Sequence, residues 1–272
     1  AADAGSTGPG PTGLATIGGL AAVELSWNPV IGATGYAVMR AFASGGPYTQ
    51  VAAPVGAVYS DTGLAAGTVY YYVVVALSPA GRSDNSAEAS ALTLPAAPTN
   101  LEATAGLSSV SLAWSAVPSA TSYVVARGLV ASTDIADAST TAFTDSTIAA
   151  GASYTYVVRA LNASGAGPNS TSVEVLTRPA APVGLMAAGG DTSIALSWDA
   201  SVGGTSYTVY RNIVSGEPYT QAGATNSMTF TDTGLVAGTP YYFVVAAANG
   251  SGEGAISNEV VGLTRPPAPT AL

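Results

Sequence analysis

The stretch Val23-Glu24-Leu25-Ser26-Trp27 (VELSW) decides the fold, because it returns as VSLAW at 110–114 and as IALSW at 194–198. In each copy, apolar residues alternate with small or polar ones, which is the pattern of a half-buried β-strand. A helix would instead place its apolar residues three and four positions apart. The stretch therefore predicts a strand with one face on a core, and its three copies predict an internal repeat.

Aromatic residues fix the length of this repeat. A Tyr stands nine residues after each Trp, and another stands nine residues after each of Asp61, Asp145 and Asp232. Corresponding positions lie 84 or 87 residues apart, so the chain of 272 residues holds three copies of one unit. We expect the following aromatic side chains in the three cores: Trp27, Trp114, Trp198, Tyr36, Tyr123, Tyr207, Tyr70, Tyr154 and Tyr241.

Each repeat resembles a fibronectin type III module of the kind that occurs in tandem in bacterial secreted and surface proteins. The resemblance is carried by the Trp of the second strand, the Tyr-x-Val of the third strand, and LAAGTVY from Leu64 to Tyr70, which resembles the tyrosine corner of the family. It covers nearly the whole chain. It implies an all-β fold of three tandem immunoglobulin-like, seven-stranded β-sandwiches in an extended rod.

Proline-rich junctions divide the chain. We expect an N-terminal flexible segment at 1–10, module 1 at 11–94, module 2 at 95–178, module 3 at 179–264 and a Pro-rich junction at 265–272. Leu272 is in register with the first core leucine of each module, so the junction is either the start of a next module or a tail that docks on another subunit. Pro266, Pro269 and Leu272 are the candidate docking residues.

The tetrapeptide DTGL occurs at 61–64 and at 232–235, and Asp-Thr-Gly is also the signature of two-lobed aspartic proteases. A protease dyad needs two carboxylates close enough to share one proton. The two copies here belong to separate repeats, and the middle repeat reads Asp145-Ser146-Thr147. We therefore interpret Asp61, Asp145 and Asp232 as turn residues, in which a short side chain caps its own turn.

The composition excludes much other chemistry. The chain has no Cys, His or Lys, which excludes a thiol nucleophile, a Ser-His triad, a zinc site of the His/Cys kind and a Schiff base. The net charge is −9 and basic clusters are missing, so we expect no nucleic-acid partner. No apolar run reaches the roughly 18 residues that span a bilayer. We expect no enzyme activity, no cofactor, no metal and no membrane span.

Three N-x-S/T sequons make Asn162, Asn169 and Asn249 candidate glycosylation sites, and all three fall in or beside the loop after the Tyr-rich strand. The start of the chain, AADAGSTGPGPTG, would suit what remains after an export signal is removed, which favours an extracellular or cell-surface location.

These observations predict a non-enzymatic extracellular structural protein. It would be a rod-like spacer or a head-to-tail filament, with copies of itself as the possible partner. The alternative is a carbohydrate-binding or cell-adhesion accessory region of a secreted polysaccharide-degrading enzyme, with polysaccharide or cell-surface components as partners. Exposed aromatic residues, for which Tyr48 and Tyr219 are candidates, would favour the alternative.

Overall fold

The computed structural model describes residues 7–128, 133–216 and 218–267. In these ranges the regular elements are 24 β-strands, arranged as three pairs of sheets. The all-β class and the three predicted sandwiches are thereby confirmed. The described ranges contain no helix that is long and apolar enough to cross a membrane. Of the N-terminal segment predicted at 1–10, residues 1–6 lie outside the described residues.

Chain contacts group the strands into two compact units. The first comprises residues 1–101, 114–141 and 157–172, and the second comprises 102–113, 142–156 and 173–272. The contacts described below between modules 1 and 2 all lie inside the first unit. Those between modules 2 and 3 all lie inside the second.

Module 1 has a three-stranded sheet in the order β1-β2-β5 and a second sheet in the order β4-β3-β6-β7, with β8 also paired to β6. All strand pairs are antiparallel. Because β7 and β8 pair with the same strand, the predicted seventh strand is present in two pieces. The strands are β1 (Ala15–Gly18), β2 (Ala22–Ser26), β3 (Gly35–Ala41), β4 (Thr49–Ala52), β5 (Val58–Thr62), β6 (Val69–Ser78), β7 (Gly81–Arg82) and β8 (Ala89–Leu92).

Module 2 repeats this topology, with sheets β13-β10-β9 and β12-β11-β14-β15, and with β16 paired to β14. Its strands are β9 (Glu102–Ala105), β10 (Val110–Ala113), β11 (Ser122–Arg127), β12 (Thr133–Ala138), β13 (Ala142–Asp145), β14 (Ser153–Asn162), β15 (Gly165–Asn169) and β16 (Val173–Leu176).

Module 3 repeats it again, with sheets β17-β18-β21 and β20-β19-β22-β23, and with β24 paired to β22. Its strands are β17 (Met186–Gly189), β18 (Ser193–Ser197), β19 (Ser206–Asn212), β20 (Thr220–Thr225), β21 (Thr229–Thr233), β22 (Pro240–Asn249), β23 (Gly252–Ile256) and β24 (Val260–Leu263).

The repeated VELSW stretch forms β2 and the residue after it, and it has the burial that its alternation predicts. Val23 and Leu25 are buried, whereas Glu24 and Ser26 are exposed. Trp27 is buried and meets Tyr36 edge to face, with ring centroids 5.3 Å apart. This geometry is favourable for aromatic pairs, and modules 2 and 3 repeat it.

The other aromatic residues predicted as core occupy equivalent places. All nine are buried except Tyr154 of module 2, which is half-buried and lies 6.4 Å from the ring of Tyr156. In module 1 the hydroxyl of Tyr70 accepts a hydrogen bond from Ala65 N at 3.0 Å, five residues upstream. Modules 2 and 3 form the same bond. This bond is the tyrosine corner, which ties the turn before the long central strand to the core.

Candidate functional site

The Asp of each DTG-type turn is buried inside its own module. Asp61 is 3% exposed, and its Oδ2 accepts hydrogen bonds from Arg40 Nη1 and from the hydroxyl of Tyr72, both at 2.8 Å. The Arg40 guanidinium also lies 5.4 Å from the centre of the Tyr70 ring. A buried carboxylate is costly unless it is paired and hydrogen-bonded, and here it is both.

Modules 2 and 3 vary the same arrangement. Oδ2 of Asp145 accepts from the hydroxyl of Tyr156 at 2.8 Å, while its Oδ1 accepts from the backbone N–H of Thr147 at 2.8 Å and so caps its own turn. Asp232 pairs with Arg211 Nη1 at 2.6 Å, and Phe243 replaces the tyrosine there. Each of the three carboxylates is held by partners from its own module. Asp61 and Asp232 lie inside strands β5 and β21, just before the turn, so the interpretation of these two as turn residues is corrected, whereas Asp145 at the end of β13 does cap its own turn. Partners within one module argue against a pair of carboxylates that share a proton.

The tyrosine beside Asp61 is set up as a donor. Burial raises the pKa of Tyr72 far above its ordinary value, and its hydrogen bond to the Asp61 carboxylate raises the pKa further. The phenol therefore stays protonated over the whole physiological range. Its role is to hold the carboxylate in place, which is a structural task.

Tyr48, a candidate for an exposed aromatic, is half-buried. Its hydroxyl donates to Glu88, which also accepts from Ser44 Oγ at 2.7 Å and from Gly45 N at 2.8 Å. Burial and the bond to Glu88 raise the pKa of Tyr48 to about 12, and the same hydrogen bonds lower the pKa of Glu88.

Module 3 repeats these hydrogen bonds with Tyr219 and Glu259. The hydrogen bond from Gly216 N and the one from the Tyr219 hydroxyl lower the pKa of Glu259. In both modules the tyrosine hydroxyl is therefore bound within the module.

The first junction between modules is closed by a loop that follows β14. Asn162 Nδ2 donates to Thr93 O at 2.9 Å, and Ser164 Oγ donates to Leu92 O at 2.5 Å. Asn162 Oδ1 accepts from Ser164 N at 2.9 Å, which closes the loop as an Asx turn. These two side chains, which we name the Asn-x-Ser clamp, hold the last strand of module 1 by its backbone carbonyls.

The second junction repeats the clamp with the residues that follow β22. Asn249 Nδ2 donates to Thr177 O at 2.8 Å, and Ser251 N donates to Asn249 Oδ1 at 2.8 Å. Ser251 Oγ donates to Leu176 O. The acceptors are again the Leu-Thr pair at the end of the preceding module, so both joints use one design.

Arg178 in the second linker adds further bonds. Its Nη1 donates to Glu253 O of module 3 at 3.1 Å, and its Nε donates to Ala105 O of module 2 at 3.2 Å. One side chain thus bridges the two modules. The first linker has Leu94 at this position, and its side chain lies close to Gly165, the residue that follows the clamp.

A second contact in each joint brings two turns together. Gly67 of module 1 (φ 61°) and Gly151 of module 2 (φ 63°) lie in the left-handed region, where glycine is favoured. A Cβ on Gly67 would lie 2.1 Å from Ser119 Oγ, and a Cβ on Gly151 would lie 2.3 Å from Gly203 Cα. The glycines therefore permit both the turn and the close approach of the next module.

The clamp gives the sequons a structural explanation. Asn162 is buried and Asn249 is half-buried, and both amide nitrogens are engaged with carbonyls of the preceding module. This arrangement argues against a glycan on either residue in the folded joint. Asn169 is exposed, and for it glycosylation stays a prediction.

The predicted docking tail is described only in part. Pro266 is exposed, whereas Pro269 and Leu272 lie outside the described residues. In the described part of the chain, no group of His, Cys, Asp and Glu side chains could hold a metal ion.

The joint was not predicted from the sequence. A signal was present, since Asn-x-Ser recurs at 162–164 and 249–251, whereas the same register in module 1 reads Ser78-Pro79-Ala80. The Asn-x-Ser triplet is present in the two modules that follow another module and missing in module 1. This distribution indicates an interaction with the preceding module. The same triplet is also a glycosylation sequon, which is why these asparagines are candidate glycosylation sites in the sequence.

Comparison with known proteins supplies the family. Residues 180–262 match the model of the fibronectin type III domain. The chain is 32% identical over 264 residues to exoglucanase B of Cellulomonas fimi. The alignment covers 85% of this chain and 23% of the exoglucanase. It is 36% identical over 187 residues to chitinase A1 of Niallia circulans, and this alignment covers 62% of this chain and 26% of the chitinase.

Among solved structures, the chain is similar to the FN1–FN3 domains of chicken CNTN1, at 17% identity with 96% of this chain covered, 100% of that chain covered and a TM-score of 0.39. The chain thus spans about a quarter of the length of the two bacterial relatives named above. Together with the repeated sandwiches, the family match leads to one conclusion: the chain is built of tandem fibronectin type III modules.

Proposed function

We propose that the chain is a non-enzymatic spacer within a secreted, extracellular protein. It would hold neighbouring domains at a set separation and orientation. The observation that carries this proposal is the Asn-x-Ser clamp, which recurs at both junctions on equivalent carbonyl groups. Flexible linkers need no such bonds, because Gly- and Ser-rich chains connect domains without fixing them.

The bonds at each joint are sufficient to restrict its motion. A neutral hydrogen bond contributes about 0.5–1.5 kcal/mol net, so the two clamp bonds of a joint together contribute about 1–3 kcal/mol. The turn contact and the proline-rich linker limit the motion further. A joint of this kind favours one relative orientation of the two modules that it connects.

The spacer proposal is tested at the first joint. The chain has no native Cys, so nitroxide labels on cysteines introduced at exposed Thr62 and Ser139 report only the chosen pair. Electron–electron double resonance on the unmodified joint should give one narrow distance distribution. Asn162→Ala with Ser164→Ala should broaden it. A broad distribution in the unmodified joint would overturn the spacer proposal.

The second candidate function is that of a polysaccharide-binding accessory region. The names of the relatives, an exoglucanase and a chitinase, favour it. So does a cleft of about 310 Å³ on module 3, where the Tyr210 hydroxyl donates to Glu253 Oε2 at 2.7 Å beside Tyr219 and Pro218. Tyrosine rings and a carboxylate are groups that contact sugar ring faces and hydroxyls.

A depletion assay with insoluble cellulose and chitin separates the two candidates. The spacer proposal expects the chain to stay in solution. A sugar-binding cleft on module 3 predicts depletion that is lost in Tyr210→Ala. It should be kept in Met39→Ala, the change at the equivalent position of module 1.

A further inference from the structure

Modules 1 and 2 each end in a surface that the next module covers, and module 3 has the same surface. We name it the trailing rim and define it by the Leu-Thr pair that ends the last strand and by the turn glycine that contacts the next module. The rims are Leu92, Thr93 and Gly67 in module 1, Leu176, Thr177 and Gly151 in module 2, and Leu263, Thr264 and Gly238 in module 3.

The rim of module 3 has the internal structure of the other two. Gly238 N donates to Arg265 O at 3.0 Å, as Gly151 N donates to Arg178 O at 2.9 Å. Thr264 Oγ1 donates to Val236 O at 2.7 Å and accepts from Thr239 N at 2.9 Å, and Thr93 and Thr177 make the same two bonds. The acceptor side of a joint is therefore already formed there.

The leucine and proline side chains that are covered at the first two rims are exposed at the rim of module 3. Leu263 is 59% exposed, whereas Leu92 and Leu176 are half-buried. Pro266 is exposed, whereas its counterparts Pro95 and Pro179 are buried. A Cβ on Gly238 would meet nothing closer than Pro266 Cα at 3.7 Å. Within the described residues, no side chain donates a hydrogen bond to Leu263 O or Thr264 O.

We propose that the trailing rim of module 3 is a docking surface for a further fibronectin type III module whose long central strand ends in Asn-x-Ser. The Asn amide and the Ser hydroxyl would bind Thr264 O and Leu263 O, as they bind the equivalent carbonyls in both internal joints. The small turn of such a module would rest on Gly238. This inference goes beyond the spacer function because it names the partner and its recognition residues.

The same geometry disfavours a second copy of this chain as the occupant. The equivalent loop of module 1 is Ser78-Pro79-Ala80, and it lacks both clamp donors. Ser78 Oγ closes its own turn, accepting from Ala80 N at 3.3 Å and donating to Gly81 O at 3.3 Å, and Ala80 has no hydroxyl. The donors of modules 2 and 3 are already bound. Head-to-tail assembly through this rim would thus lack the bonds that form both internal joints.

The test uses two four-module chains. In the first, residues 1–265 are followed by a copy of residues 95–178, so that the added module enters in the register of the internal joints. The second is identical except that the added loop carries Asn162→Ser, Ala163→Pro and Ser164→Ala, which is the loop of module 1. Amide exchange of the added module verifies that it is folded in both chains.

Labels on cysteines at exposed Thr229 of module 3 and at Ser111 of the added copy then report the new joint. We expect a narrow distance distribution in the first chain and one at least twofold wider in the second. Equal widths would overturn the proposal, whether both are narrow or both are broad. The spacer function would survive that result, since it depends on the two internal joints alone.

Sedimentation of the unmodified chain supplies a second, independent measurement. We expect a monomer at every concentration. Concentration-dependent assembly that Leu263→Asp abolishes would show that the rim accepts a second copy, and it would overturn the selectivity for Asn-x-Ser.

Discussion

Replacing Gly151 with Ala should open the joint between modules 2 and 3, whereas the same replacement at Gly238 should leave every joint intact. The two glycines have nearly the same φ, 63° and 67°, so an Ala at either pays the same cost of about 1–2 kcal/mol for the left-handed conformation. They differ in surroundings. The added Cβ lies 2.3 Å from Gly203 Cα at Gly151, and 3.7 Å from its nearest neighbour at Gly238.

The size of the effect follows from these distances. Carbon atoms in contact lie about 3.5–4.0 Å apart, so the added methyl group separates the modules by about 1 Å or more. The contact atoms belong to backbone, and no rotamer change relieves them. The Asn249–Thr177 hydrogen bond of 2.8 Å would then exceed the roughly 3.2 Å limit of a good bond. The clamp is lost, which removes about 1–3 kcal/mol from the joint.

Labels at Ser111 and Thr229 measure this joint directly. Gly151→Ala should broaden the distance distribution, and Gly238→Ala should reproduce the unmodified chain. Urea unfolding should show a similar loss of stability in the module that carries each substitution. Equal distributions in the two variants would refute the close contact between the turns of Gly151 and Gly203.

Three further predictions concern module 1. Tyr72→Phe removes a hydrogen bond to a buried carboxylate and should lower the free energy of unfolding in urea by about 1.5–3 kcal/mol. The phenylalanine ring should fit, because Phe243 occupies the equivalent position in module 3. Unchanged stability would contradict the bond. Folding raises the pKa of Tyr72 and Tyr48, so their contribution to the free energy of unfolding is complete below the ordinary phenol pKa of about 10 and is lost as the pH rises above it. The urea midpoint of unfolding should therefore fall in alkali, and it should fall less steeply in Tyr72→Phe. Folding lowers the pKa of Glu88, so the contribution of this carboxylate to the free energy of unfolding is present above its ordinary pKa of 4.5 and is lost as the pH falls below it. Glu88→Gln should flatten this acid limb of the pH–stability curve. An unaltered limb would count against the Tyr48–Glu88 bond.

The fold was predictable from the sequence because its signals are local and occur three times. The alternation in Val23-Glu24-Leu25 defines a strand with one buried face, and the fixed spacing from Trp27 to Tyr36 places an aromatic pair across the core. Repetition excludes chance agreement, since the same pattern would have to arise independently in each module.

The joints were not predictable in the same way, because their bonds depend on contacts between residues far apart in the chain. Asn162 and Thr93 are separated by 69 residues, and the acceptor is a backbone carbonyl, which leaves no trace in side-chain identity. Gly67 reads in the sequence as an ordinary turn residue, and only the structure shows that its missing side chain makes room for Ser119.

The Asp turns fall between these cases. Their closeness to a turn follows from the short carboxylate beside Thr or Ser. The place of Asp61 and Asp232 inside a strand, their burial and their pairing with Arg40 and Arg211 do not follow from the sequence. The structure places the guanidinium group of each of these two arginines against its Asp and against a tyrosine ring of the core.

The placement of the joint residues also has a genetic consequence. Modules 2 and 3 each carry a donor loop at one end and an acceptor rim at the other, all encoded within one contiguous repeat. Duplication of such a repeat by unequal recombination would insert a new link whose two ends already match their neighbours. The number of links in an array of this kind could therefore change in a single event, with no compensating substitutions at the joints.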